Sequence, residues 1–176
     1  MKGKLGPIMF QFEYLNKKKM PSKEAFLEYL NEFFEKIPTE LDYAIETRNP
    51  KYIAKDFIKF LKDRKLGCVL LEGYYMPFIG QVAARFNICT AGFSIVRLHG
   101  PDRQAIEKQT GSIWNEIVDP KPKGLKATAS IINNNTERKI TTFVNINNHY
   151  EGSAPLTTNR IVREYLNLKS IATKHF

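Results

Sequence analysis

Cysteine and histidine are scarce in this 176-residue sequence: Cys68 and Cys89 are its only thiols, and His99, His149 and His175 its only imidazoles. Two cysteines are too few for a disulfide scaffold. The histidines show no HxxxH spacing and the cysteines no CxxC spacing, so no metal site is expected. No cofactor is expected either, because neither GxGxxG nor GxxxxGK(S/T) occurs. Cys68 opens an apolar run and Cys89 has no base beside it, which argues against a thiol nucleophile. Also missing are an N-terminal apolar run of signal length and any stretch of about eighteen apolar residues. Those absences argue against secretion and a membrane span, and a cytoplasmic protein is expected. Acidic residues fall short of basic ones, 18 against 27, leaving a net charge of +9 that favours phosphate-bearing or otherwise acidic partners. The Lys17-Lys18-Lys19 run lacks aromatic interleaving and reads as a solvated loop rather than a nucleic-acid patch.

What is present is a recurrence. Apolar runs rich in β-branched and aromatic residues fall at Gly6 to Glu13, Tyr43 to Arg48, Gly67 to Glu72, Phe93 to His99 and Thr142 to Asn148, and predict five strands. Helical spacing separates them. In Ser22 to Ile37 the residues Phe26, Leu27, Leu30, Phe33, Phe34 and Ile37 share one face, with Ser22 placed to cap. Shorter patterns occupy Asp56 to Arg64 and Pro77 to Phe86. Further helices are predicted over Asp102 to Val118, over Leu125 to about Asn133 beyond a break at Asp119 to Lys123, and over Thr157 to Leu168. Alternating strands and helices predict an α/β fold with a parallel sheet, because parallel neighbours need a long crossover. The 43% of hydrophobic residues suffices for one cored domain spanning 1–176. An open doubly wound sheet and a strand–helix barrel both fit this pattern.

Polar residues sit in pairs two apart at the strand ends: Gln11 and Glu13, Glu46 and Arg48, Arg97 and His99, Asn145 and Asn147. Spacing of two puts each pair on one face of its strand, and in a parallel sheet a polar residue inside a strand needs a reason. One reason is a buried salt bridge, Glu46 with Arg48 or Arg97, that only fixes register. The other is a site at the C-terminal ends, where barrel enzymes build theirs. Gly152-Ser153-Ala154-Pro155 is able to lead the last helix with free backbone donors, flanked by Arg97 and Arg103, or to be an ordinary turn. Gly73-Tyr74-Tyr75-Met76-Pro77 is able to offer aromatic faces to a sugar or base, or simply to pack.

Four of these stretches, LGPIMFQ at Leu5 to Gln11, YAIETRNP at Tyr43 to Pro50, IVRLHG at Ile95 to Gly100 and FVNINNHYEGSAP at Phe143 to Pro155, together resemble the YecE-like family, domain of unknown function 72. The segments GYYMP and HGPDR look like those of one subgroup. The resemblance implies a barrel of the triosephosphate isomerase type, related to barrels that process sugars or cleave DNA backbones, with no established reaction. By position, the family's polar top corresponds to Gln11, Glu46, Arg48, Arg97, His99, Asn147 and Asn148. Glu72 and Gly73 stand where many members have Ala-Asp. The family's first three strand–helix units, with their Gly-Thr-Ser-Gly-Trp opening and Glu-Ile-Asn segment, have no counterpart here. At about 35 residues per unit, eight units would need roughly 280 residues, so the chain is expected to be an N-terminally truncated, incomplete barrel of five units. Such a chain exposes its edge strands and its apolar interior, and so is expected to pair with itself or with a separately encoded N-terminal portion.

Two functional expectations follow, with a third in which truncation has abolished activity. The first is a barrel enzyme acting on a phosphate- or sugar-containing ligand: Glu46 and His99 as catalytic acid–base groups, Arg48, Arg97 and Arg103 holding anionic charge, and Gln11, Asn147 and Asn148 orienting the ligand. The second is a nucleic-acid-binding barrel that uses the net charge, with or without phosphodiester cleavage.

Overall fold

The computed structural model describes residues 5–100 and 102–173. Each predicted strand forms: β1 Ile8–Phe12, β2 Tyr43–Thr47, β3 Gly67–Gly73, β4 Phe93–Gly100 and β5 Thr141–Ile146. They make one all-parallel sheet in sequential order β1-β2-β3-β4-β5. The crossovers carry helices α1 Lys23–Phe34, α2 Lys55–Asp63, α3 Ile79–Arg85, α4 Arg103–Thr110 and α5 Pro122–Glu137, and α6 Ala154–Thr173 follows β5.

Local chemistry sets the helix limits. Ser22 Oγ accepts the Ala25 N–H at 3.2 Å and Asp102 Oδ1 the Ala105 N–H at 3.1 Å, each capping a helix. The helix expected over Asp102 to Val118 is corrected. α4 stops at Thr110 because Gly111 and Ser112 both take left-handed backbone angles, and the chain then turns back toward the loop after β5. The Pro-Lys break proves to be a helix start, since Pro122 occupies the first position of α5, where a missing N–H costs nothing. α5 and α6 both run longer than their apolar periodicity suggested.

Helices α1, α2, α3, α5 and α6 pack on one face of the sheet. Phe10, Ile45 and Cys68 pack with α1 and α2, while Leu70, Val96 and Val144 pack with α3, α5 and α6. The alternate positions, Met9, Ala44, Val69, Phe93 and Ile95, form a separate inward cluster without helical residues. A doubly wound sheet covers both faces with helices, so this one-sided wrapping departs from it and is that of an arc of parallel strand–helix units, as in a barrel wall.

The expectation that the apolar interior lies open to water is corrected. Ala44, Val69, Phe93 and Ile95 are all buried. Curvature does this: a β1 side chain, Gln11, reaches a β4 side chain, Arg97, and Gly6 ahead of β1 lies against Phe143 of β5. Exposure falls at the two edges of the sheet, at Gln11 of β1 and along β5, where Thr141, Phe143 and Asn145 alternate with partly covered neighbours. The pairing of β2 with β3 is the shortest in the sheet, Ala44 with Gly67 and Ile45 with Cys68. No helix among the described residues is long and apolar enough to cross a membrane.

At the C-terminal ends the backbones approach closely. A Cβ on Gly73 would lie 2.5 Å from the Gly100 carbonyl oxygen, and one on Gly100 would lie 2.2 Å from that of His149. Both glycines have positive φ, 131° and 86°. Replacing Gly100 by alanine therefore strains the backbone and drives β4 away from the loop after β5. We expect a loss of more than about 2 kcal/mol in urea-unfolding stability, and an unaltered unfolding midpoint would show that the contact is not constraining.

Candidate functional site

Inward positions near the strand ends come together because the register aligns them. Gln11 pairs with Glu46, and Arg97 stands level with Leu71 and Asn145. Arg97 is one inward layer above Ile95, so its long side chain reaches back across β3. There its Nη1 donates to Glu46 Oε2 at 2.5 Å and to Gln11 Oε1 at 2.8 Å. Arg48 Nε donates to the other Glu46 oxygen at 3.5 Å. Glu46 is fully buried, whereas the arginine side chains remain 22% and 18% exposed for Arg48 and Arg97. One carboxylate is thus shared by two guanidinium groups, and the group carries a net positive charge toward the inner face.

An aromatic layer completes it. The Arg48 guanidinium lies 4.5 Å from the centre of the Tyr74 ring, which in turn lies 4.8 Å from the imidazole of His99 at a tilt of 38°. The Tyr74 hydroxyl and His99 Nε2 are 3.4 Å apart. Tyr74 has φ of 52°, a left-handed angle that costs a non-glycine residue about 1 kcal/mol or more and persists only where surroundings impose it. Burial is the main cause holding the His99 pKa below its ordinary 6.5, with Arg97 and Arg48 adding to it and Glu46 partly opposing. His99 is therefore a neutral imidazole at pH 7. A small cavity of about 110 Å³ opens beside it, lined by Arg97, His99, Asn145 and Asn147.

The structure thus gathers Gln11, Glu46, Arg48, Arg97 and His99, with Asn147 at the rim. It leaves others outside. Arg103 is exposed and donates to Glu107 Oε1 at 2.7 Å, so it does not join the arginine group as expected. Glu13 pairs with Lys19 instead of continuing the inward row. Asn147 Oδ1 accepts the His149 N–H at 2.9 Å and Asn148 Oδ1 the Ala154 N–H at 2.8 Å, so these carbonyls shape the loop. Of the two readings of Gly152 to Pro155, the ordinary turn and helix entry fits. The Gly152 N–H donates to the Asn148 carbonyl and the Ala154 N–H to its side chain. Glu72 points to the helical face, where it accepts the Ile79 N–H at 3.0 Å.

Cys68 is buried, which pushes its thiol up to about 12, and Cys89 Sγ is hydrogen-bonded to Asn135 Oδ1 at 3.1 Å. Neither is an activated nucleophile. No group of metal-ligating side chains occurs among the described residues, and His175 lies outside them.

Sequence reasoning missed two residues. Tyr74 was legible only as part of an aromatic loop, the one signal being its position directly after a strand-terminal glycine. Glu151 gave no signal. It is fully buried and accepts from the Lys121 N–H, Thr157 Oγ1 and Arg160 Nη1, while its carbonyl accepts from the N–H groups of Val118 and Asp119. It ties the loop after β5 to the segment after α4.

Residues 1–174 match the family described as "Protein of unknown function DUF72". Among solved structures, a DUF72 family protein from Thermotoga maritima is similar at 18% identity and a TM-score of 0.60, the match covering 92% of this chain and 57% of that one. Two crystal structures of a DUF72 family protein from Enterococcus faecalis are similar at 16% and 17% identity, with TM-scores of 0.56 and 0.62. Those matches cover 93% and 90% of this chain and 61% and 58% of theirs, so the chain spans less than two-thirds of each relative. No curated protein matches.

Two outcomes test this geometry. Glu46→Gln leaves two guanidinium groups without their buried counter-charge, and about 3–5 kcal/mol of urea-unfolding stability should be lost. A loss near zero would mean that the arginines are solvated elsewhere. For His99, a folded pKa below the unfolded 6.5 means that the unfolded chain binds the proton more readily, so stability is lost as pH falls through 6.5 toward the folded value. Thermal melts should show that acid-side loss to be smaller in His99→Gln, and NMR titration of the imidazole should place its midpoint below 6.5.

Proposed function

The chain belongs to the DUF72 family of proteins of unknown function, and on that premise we propose that its inner-face arginine group binds the anionic part of a phosphate-bearing small molecule, a sugar phosphate by class. The observation that carries this is the ratio of charges: two guanidinium groups on one buried carboxylate, with a neutral imidazole alongside. The outward N–H groups of Arg48 and Arg97 supply donors in the planar fork that suits phosphate oxygens. The cavity at their side is far below the range of about 300–1,000 Å³ typical of sites that enclose a whole ligand, so it suits an anionic group with the remainder of the molecule outside.

In this reading the roles divide differently from the sequence expectation. Glu46, with both oxygens engaged by arginine and no exposure, is a positioning residue that holds the two forks. His99 is the acid–base group, oriented by the Tyr74 hydroxyl and able to take a proton at neutral pH. Gln11 fixes Arg97, and Asn147 presents the rim of the cavity.

Partners are proposed on separate grounds. β1 and β5 are the two edges of the sheet and do not pair with each other. β5 carries exposed Phe143, and exposed Leu156, Val162 and Leu166 follow on α6. We propose that this side is covered by pairing with a second copy or a separate strand-bearing partner. Size-exclusion chromatography with light scattering should give a concentration-dependent dimer for the chain alone; a monodisperse monomer with a cooperative melt would remove the proposal.

The ligand reading is tested by NMR titration of the chain with sugar phosphates and with the same sugars lacking phosphate. Phosphorylated forms should bind and shift the His99 resonances, and Arg97→Met should weaken them by about tenfold or more. Equal response to phosphorylated and neutral sugars would overturn the assignment. If a reaction is found, its kcat/KM should rise with pH through a midpoint below 6.5 and then level, as His99 loses its proton.

A further inference from the structure

The loops that follow β1 and β2 enclose a cavity of about 550 Å³, within the size range of small-ligand sites. Its lining shares no residue with the inner-face arginine group. The space is preformed. Asn49, 6% exposed, binds both backbone groups of Leu15: its Oδ1 accepts the N–H and its Nδ2 donates to the carbonyl, each at 2.8 Å. One side chain thus clamps the two loops as a paired strand would. Pro50 and Tyr52 follow in a tight turn, in which the Tyr52 N–H donates to the Asn49 carbonyl at 2.9 Å. The Tyr52 ring then stacks on Phe26 of α1, with centroids 5.1 Å apart and planes at 29°.

Aromatic faces, an apolar wall and cations meet in this lining. Tyr14 is 62% exposed, and among the described residues no other ring or cation is stacked on it. Tyr52 is only 7% exposed, yet its hydroxyl has no hydrogen-bond partner among the described residues. Burial is the main cause raising its pKa, and Tyr14 and Glu24 add to it; both line the cavity, so the hydroxyl faces that space. A nearly buried hydroxyl without a partner marks a place for a ligand's polar edge. Met20, Pro21 and Pro50 supply the apolar wall. Of the lysines in the lining, Lys23 pairs with Asp56 at 2.5 Å, whereas Lys17 and Lys51 have no ion-pair partner among the described residues. The carboxylate in the lining, Glu24, is engaged by the Ser22 hydroxyl and its own N–H. The start of α1 adds little, since Ser22 already caps it.

Each feature removes a class of ligand. An acyl chain would cover the apolar wall and leave the Tyr52 hydroxyl unpaired. Inorganic phosphate would answer the lysines and leave the aromatic faces idle. A neutral sugar would leave both ammonium groups without a counter-charge. What satisfies all of them is a flat ring with a polar edge and a tail carrying close to two negative charges, one for each unpaired lysine. A space bounded by two loops holds one nucleotide, whereas a strand would need a groove that runs on past it. We propose that this cavity binds a free nucleoside monophosphate, its base on the Tyr14 ring with a polar edge at the Tyr52 hydroxyl, and its phosphate on Lys17 and Lys51.

NMR titration of the full chain with AMP and UMP tests this, with adenosine, ribose phosphate and a short single-stranded oligonucleotide as comparators. The mononucleotides should shift the ring resonances of Tyr14 and Tyr52. Adenosine and ribose phosphate, each offering one half, should bind there at least about tenfold more weakly. Ribose phosphate acting at the inner face is read separately through His99, so failure of one site does not mimic failure of the other. Tyr14→Ala should weaken AMP by about tenfold, and Lys17→Ala combined with Lys51→Ala by about as much, with Tm unchanged because all three side chains are exposed. Tyr52→Phe keeps the stack on Phe26 and should weaken AMP by about threefold or more. Silence of both tyrosine rings, equal binding of ribose phosphate there, tighter binding of the oligonucleotide, or unchanged affinity in Tyr14→Ala would each overturn the proposal.

Discussion

A single negative charge with no access to water organises the inner face of this molecule. Glu46 stands near the C-terminal end of β2 with no exposure, and an isolated carboxylate there would be intolerable, so its neighbours must bring compensating charge to it. Arg97 does so from β4 across the intervening strand, Arg48 from the end of the same strand, and Gln11 of β1 fixes Arg97 in turn. Strands that are not neighbours in the sheet are tied together by side chains. The arc is consequently tight enough for Ala44, Val69, Phe93 and Ile95 to bury one another without any helix on that side.

Much of this was legible in the sequence. Five β-rich runs separated by helical periodicity give the parallel sheet, and the polar pairs two residues apart identify the inward face, because alternation along a strand admits little else. Glu46, Arg48, Arg97 and His99 stood out from that spacing, and the family resemblance pointed to the same four. The curvature was hidden, because it depends on the reach of Arg97, which no periodicity records. Hidden for the same reason was the fate of Arg103. A basic residue just after a strand end reads the same whether it turns to the inner face or, as here, to a carboxylate one helical turn on. The role of Tyr74 was concealed by its left-handed backbone, which sends the ring where an extended residue would not point.

Backbone, not side chains, sets the other end of the arrangement. Gly73, Gly100 and the His149 carbonyl are stacked without room for a Cβ between them, so the loops after β3, β4 and β5 form a continuous layer. Within that layer the two buried acids work on opposite sides of the sheet. Glu46 gathers cations inward, and Glu151 gathers backbone and side-chain donors outward to hold the loop after β5. The concave face is left with surplus positive charge, while the surroundings of Tyr150 hold three carboxylates.

The short pairing between β2 and β3 gives the ion group a second meaning. Two residue pairs join these strands, and the hydrophobic packing on the helical side divides into two clusters that both end at β3. The bridge from Glu46 to Arg97 spans this same junction, so a side-chain ion pair reinforces the place where the backbone ladder is briefest, and removing it would leave β2 and β3 joined by two residue pairs and by apolar packing.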